Sequence, residues 1–383
     1  MRLRLAVRSA GAGHGGPAAR LGLPIVTAAA PPTTPPAALA TGIPGLDDGV
    51  RVGTPRRIAA VAGGLVVLAV AIVLSLMIGA KALNPAEVLQ AIFAPVDNDA
   101  RDIVRGLRMD RTVLAVIVGA ALGGAGALMQ ALTRNPLADP GLLGVNAGAA
   151  AAVVTGIAFL QIEDPGAQIW FAFAGAAAAS VLVYALGSGG RAATTPVRLA
   201  LAGAAISAVL GAYVNGVALS SQTAFDKMRF WLVGSVVGRD LGVLVETLPF
   251  VVLGVLLGLV VAPALNAMAL GDDTGRALGV KVGRLRFAVA VAITLLCGAA
   301  TAIAGPITFL GLVVPHIARF LVGPDQRWVF PLSMLLSSCL LVVADTAGRV
   351  VVTTGEIEAG IMTAFIGAPV FIYLVRRRRL VHL

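Results

Sequence analysis

The sequence is poor in charge, cysteine, histidine and lysine, and each shortage excludes something. Charged residues fill only 13% of the 383 positions, where a soluble domain carries about a quarter. With 58% apolar residues and a mean hydropathy of +0.92, the chain cannot cover a water-facing surface. A soluble enzyme and a disordered protein are both excluded. Two cysteines, Cys297 and Cys339, lie inside apolar runs; they make no disulfide framework and are too few for a zinc site. His14, His316 and His382 form no His-Glu-x-x-His motif, and Gly-x-Ser-x-Gly is absent. Lys81, Lys227 and Lys281 follow Ala, Asp and Val, so the Gly-Lys of a Walker A loop cannot exist here. Nucleotide chemistry would have to come from another chain.

What the sequence does have is one apolar run after another. They cover about 58–80, 112–132, 142–161, 168–187, 197–220, 243–265, 285–304, 307–322, 330–348 and 359–375. At about 20 residues per crossing, these predict an all-α polytopic membrane protein of about ten transmembrane helices. Residues 1–55 read as a separate tail. Its Ala/Pro/Thr-rich stretch from Ala28 to Pro44 cannot build a helix or a core, so a disordered cytoplasmic tail is expected, followed by a transmembrane domain over 56–383.

The net charge of +10 is a topology signal, not a nucleic-acid footprint. Of 29 basic residues 26 are Arg, and most sit in tails and short loops. Arg51, Arg56 and Arg57 before the first run, and Arg376 to Arg379 after the last, put both termini in the cytoplasm. One loop disobeys. Arg101, Arg105, Arg108 and Arg111 fall outside by this count, either offset by Asp97, Asp99, Asp102 and Asp110 or kept there for function. Parity also gives spans 2–5 and 7–10 opposite topology. Each block opens with a helix and then a Pro/Gly-interrupted segment, Asn135–Gly144 and Gly305–Pro315, the pattern of inverted repeats in transporters.

Three segments place polar residues, Gly and Pro beside or inside apolar runs: QALTRNPLADPGLLG from Gln130, LGDDTGRALGV from Leu270, and GPITFLGLVVPHIAR from Gly305. In the second, Asp272, Asp273 and Thr274 can cap a short cytoplasmic helix. Further on, Asp345 and Arg349 stand four apart and can pair on one helix face. Together with RTVLAVIVGAALGGAGALMQ from Arg111 and GAPVFIYL from Gly367, these segments resemble the FecCD-type permeases of ATP-binding-cassette importers, in order and spacing over about 58–378.

The resemblance implies a permease dimer, two cytoplasmic ATP-binding-cassette subunits that hydrolyse ATP, and an extracytoplasmic substrate-binding protein, in a bacterial cytoplasmic membrane. The chain itself would be no enzyme and would need no bound cofactor or metal. The expected cargo is a ferric siderophore; vitamin B12 or haem is the alternative. An ion-coupled secondary transporter is a third reading, disfavoured because Glu246 and Asp345 both lie near span ends.

Site residues follow from the same resemblance. ATPase coupling would fall on Gly271, Asp272, Asp273, Arg276, Ala277, Leu278 and Gly279. Glycines would turn the chain at both ends, while Ala277 and Leu278 supply the apolar contact. Binding-protein docking would fall on Arg108, Arg111 and Arg349, whose forks can grip carboxylates; local pairing with Asp110 and Asp345 is the alternative. Gly203, Ser207, Gly211 and Asn215 of the fifth span are pathway-lining candidates, or small residues that merely allow tight helix packing.

Overall fold

The computed structural model describes residues 53–94, 98–162, 164–188, 196–239, 241–352 and 355–376. The expected tail, apart from its last residues, lies outside them, as do Asp97 and Arg377 to Arg379. Among the described residues every regular element is helical. In chain order they are α1 (Thr54–Met77), α2 (Pro85–Phe93), α3 (Asp99–Arg101), α4 (Met109–Thr133), α5 (Val145–Leu160), α6 (Pro165–Ser188) and α7 (Pro196–Ser220). Then come α8 (Gln222–Val233), α9 (Leu241–Ala269), α10 (Asp272–Ala277), α11 (Val282–Ala304), α12 (Leu310–Val322), α13 (Gln326–Gly348) and α14 (Ala359–Arg376). A π-helical stretch, Asp102–Arg108, joins α3 to α4 without a break.

Seven of the described helices are long and apolar enough to cross a membrane: α1, the continuous 99–133 helix, α6, α7, α9, α11 and α13. Three shorter apolar helices, 145–160, 310–322 and 359–373, complete the set. These ten coincide with the ten apolar runs of the sequence. The chain is an all-helical polytopic membrane protein.

Small residues decide how the helices pack, because lipid offers no hydrophobic drive between them. On α4, a Cβ added at Gly119 or Gly123 would overlap the Ser337 or Ser333 carbonyl of α13, and one at Gly126 would overlap Gly311 of α12. Gly148 of α5 and Gly175 of α6 each lie against the other's carbonyl. The resulting core runs through α4, α11 and α13. In contrast, α1 leaves Leu65, Val66, Val70 and Val73 exposed, a face suited to lipid.

The two blocks expected from parity recur in the packing. Helix α4 packs on α13 as α11 packs on α6, α5 packs on α6 as α12 packs on α13, and α6 meets α7 as α13 meets α14. The second helix of each block is the short one, and each starts from a left-handed residue: Gly144 (φ 74°) before α5 and Phe309 (φ 70°) before α12. The two breaks also touch, since a Cβ on Gly311 would overlap the Pro140 ring. Irregular backbone inside a membrane protein is tolerated where protein surrounds it, and here Ala138, Pro140, Leu143, Gly305 and Ile307 are all buried.

Candidate functional site

Polar side chains gather at the two ends of α4. At its N-terminal end, Arg111 donates from Nε to both oxygens of Asp345 on α13, at 2.8 and 2.9 Å, and from Nη1 to Glu356 in the loop before α14. Arg349 pairs with the same Asp345 and donates to the Ser75 carbonyl of α1 at 2.8 Å. Ser75 and Thr112 hydroxyls share a 2.8 Å hydrogen bond beside them. Asp345 is buried, and two guanidiniums meet its carboxylate there. The Arg349–Asp345 pairing read from their spacing is present. The Arg111–Asp110 pairing is not: Arg111 reaches across to α13 and to Glu356, partners hundreds of positions away.

Two further arginines of this end, Arg105 and Arg108, bind backbone carbonyls. Arg108, 6% exposed, donates to the Leu76 and Met77 carbonyls at 2.8 and 2.9 Å and also to that of Lys81. Arg105 donates to the carbonyls of Ala91, at 2.9 Å, and Ile92. Both thereby cap the C-terminal ends of α1 and α2, where unpaired carbonyls and the helix dipole favour a cation. Asp99 accepts from Lys81 at 3.2 Å. Helix capping thus accounts for two of the four arginines of the basic loop.

A cavity of about 460 Å³ opens onto this network, lined among others by Arg108, Arg111, Arg349, Glu356 and Arg239. Arg239, between α8 and α9, was not singled out by the sequence reading. It sits on the wall this cavity shares with a second one, of about 610 Å³, that includes Trp231 and Glu358. Burial pulls its guanidinium below the usual arginine range.

At the C-terminal end of α4, Arg134 donates to Asp272 Oδ1 at 2.9 Å, and Arg286 of α11 donates to Asp272 Oδ2 at 2.7 Å. Asp272 opens α10, but as an ion-pair partner and not as a cap. The N-cap is Gly271, with no side-chain cap, which corrects the capping expected of Asp272-Asp273-Thr274, while Asp272 and Asp273 do stand in the first turn at the positive helix end. Gly271 (φ 109°) and Gly279 (φ 84°) do take the turning positions at either end, and Gly275 is the buried residue of α10. Asp273 and Arg276 pair at 2.6 Å in the open, where such pairs contribute little. Ala277 and Leu278 are exposed, as is Leu270, leaving an apolar patch on α10 and its flanks.

Between the two ends, Gln130 donates to the Gly311 and Leu312 carbonyls at 3.2 and 2.9 Å and accepts from buried Arg319. That knot fixes the broken start of α12 to α4. It uses Gly311, Leu312 and Arg319 of the Gly305–Arg319 segment.

The four candidates on α7 separate. Gly203 is buried, and a Cβ there would overlap the Leu142 carbonyl; it is a packing glycine. Gly211 has open space beside it, Ser207 is half-buried and Asn215 is exposed. The structure does not bring these four together with either ion network.

Residues 67–377 match the FecCD transport family, and the chain belongs to it. It is 48% identical over 322 residues to the ferric enterobactin transport system permease protein FepD of Escherichia coli (strain K12), covering 84% of this chain and 96% of that one. It is 42% identical to the probable siderophore transport system permease protein YfiZ of Bacillus subtilis (strain 168), over 81% of this chain and 93% of that one. The hemin transport system permease protein HmuU of Yersinia pestis is 38% identical, over 74% and 86%. Among solved structures, a metal-chelate type ABC transporter in an inward-facing conformation superposes with a TM-score of 0.75 at 27% identity, over 84% of this chain and 99% of that one.

Proposed function

We propose that this chain is the membrane-spanning subunit of an ATP-driven importer in a bacterial cytoplasmic membrane, moving a ferric siderophore into the cytoplasm. The observation that carries the cargo is the 48% identity along nearly the whole of the ferric enterobactin permease, against 38% for the hemin permease and 38% for a cobalamin permease of Halobacterium salinarum (strain ATCC 700922 / JCM 11081 / NRC-1). In this reading a second permease subunit completes the pathway, two ATP-binding-cassette subunits hydrolyse the ATP, and an extracytoplasmic binding protein delivers the cargo. Both termini and α10 face the cytoplasm, which the arginine distribution supports.

Each partner has a candidate surface. The exposed Ala277 and Leu278 of α10, held between turning glycines, suit a groove on the ATPase subunit. Arg108, Arg111 and Arg349 line the cavity at the other end of α4 and suit carboxylates of the binding protein. Gly211, Ser207 and Asn215 of α7 suit the pathway, on a helix that leaves much of its surface uncovered within one subunit.

Uptake by cells lacking their own chelate permeases, given this chain with its partner genes, tests the cargo. Ferric siderophore uptake that is not displaced by hemin or cobalamin is the expected result. Displacement by either would move the assignment to that cargo.

A further inference from the structure

The arrangement around Asp272 points to a residue role that neither the fold nor the contact surface of α10 assigns. Asp272 is the only residue of α10 with ion pairs that leave its own helix, among the described residues, and it makes two. One carboxylate oxygen holds Arg134, the first residue after α4, and the other holds Arg286, one turn into α11. Helices α4 and α11 pack on each other in the core and belong to opposite repeats. A single side chain therefore ties a surface helix to the leading helix of each repeat.

Arg134 carries a second, independent mark. Its backbone is left-handed (φ 50°, ψ 36°), a conformation that helix ends normally give to Gly or Asn. The residue sits there with its guanidinium on Asp272 and not turned to solvent. Arg286 is buried at 4% exposure, where a cation needs partners, and Asp272 is one of them at 2.7 Å. Neither position looks like an incidental surface pair.

We propose that Asp272 is a positioning residue, a two-armed clamp through which movement of α10 reaches α4 and α11 together. This rests on the reading of α10 as the ATPase contact. A push on α10 without the clamp would be absorbed by its flanking glycines, Gly271 and Gly279, which are the soft joints of the loop. With the clamp the push arrives at the end of α4, a helix about 37 Å long whose far end holds Asp345 and Glu356 through Arg111. The same carboxylate keeps α11 in step, so the two repeats move as a pair.

The test uses the full complex, this chain with its ATPase subunits in proteoliposomes and ferric siderophore supplied on its binding protein, carrying Arg134→Gln or Arg286→Gln. Both variants should still assemble with the ATPase, because the apolar patch of α10 is untouched. Cargo moved per ATP hydrolysed should fall by about 5-fold or more, the lower bound of ordinary coupling between linked sites. Arg134→Lys, which keeps one cation within reach of Asp272, should restore most of that ratio. Arg134 is partly exposed, so it carries the test should the buried Arg286→Gln fail to fold. An unchanged transport-to-hydrolysis ratio in an assembled Arg134→Gln complex would overturn the clamp. Failure of the unaltered chain to hold any ATPase would instead overturn the reading of α10 beneath it.

Discussion

Arg111 on α4 and Asp345 on α13 meet in a two-pronged ion pair, Nε to both carboxylate oxygens at 2.8 and 2.9 Å, across 234 positions of sequence. The same carboxylate holds Arg349 one turn along its own helix. Asp345 is therefore the keystone of the network, with 1% of its side chain exposed. Removing it would leave two buried cations, one fully and one largely without a counter-charge. Asp345→Ala should cost about 3–5 kcal/mol of stability, the range for breaking a buried pair from one side. Thermal unfolding of purified protein in detergent reads this. A loss under about 1 kcal/mol, the size of an exposed pair, would show the network to be solvated.

The glycines of α7 give a paired prediction. Gly203→Ala should sharply reduce folded protein in the membrane, because the new methyl overlaps the Leu142 carbonyl beneath it. Gly211→Ala meets nothing within 4 Å and should fold normally. Its effect, if Gly211 borders the pathway, should appear in transport alone. Quantifying each variant by size-exclusion chromatography separates the two outcomes, and equal yields would contradict the packing assignment of Gly203.

The exposed apolar patch of α10 predicts a partner effect. Leu278 is 61% exposed, so Leu278→Asp should leave the fold intact. It should remove association with the ATPase subunit, as should Ala277→Arg. Pull-down of the tagged chain measures this directly. Full retention of the ATPase by both variants would place the contact elsewhere.

Much of this was legible in the sequence because a membrane fold writes itself in long runs. All ten apolar runs became helices, since about 20 apolar residues have no alternative in lipid. The turning glycines of α10 and the Asp345–Arg349 pair were legible because they depend on local spacing. The partners of Arg111 and Arg134 were not, because they lie on other helices and nothing in the local sequence encodes a crossing. The capping roles of Arg105 and Arg108 were hidden for a related reason. Their acceptors are backbone carbonyls, which carry no residue identity to read. Arg239 gave no signal at all, since a lone arginine in a loop looks like any other.

Docking at the cavity end of α4 predicts a salt effect in the unaltered protein. Charge reversal of Arg108 or Arg349 would strip a cap from α1 or the charge partner from Asp345, and so would confuse docking with folding. Capture of loaded binding protein by the complex in nanodiscs avoids that. It should weaken steeply as ionic strength rises, since screening acts over about 8 Å at physiological salt. Capture indifferent to salt would argue for an apolar docking face.

On the proposed function, this chain conducts its cargo only when a companion subunit hydrolyses ATP. The most direct measurement is uptake into proteoliposomes containing the chain with its ATPase, ATP inside on the α10 face, and ferric siderophore on its binding protein at the other face. Uptake should require all three additions and should ignore collapse of proton and sodium gradients. Uptake by the chain alone, driven by either gradient, would contradict the account.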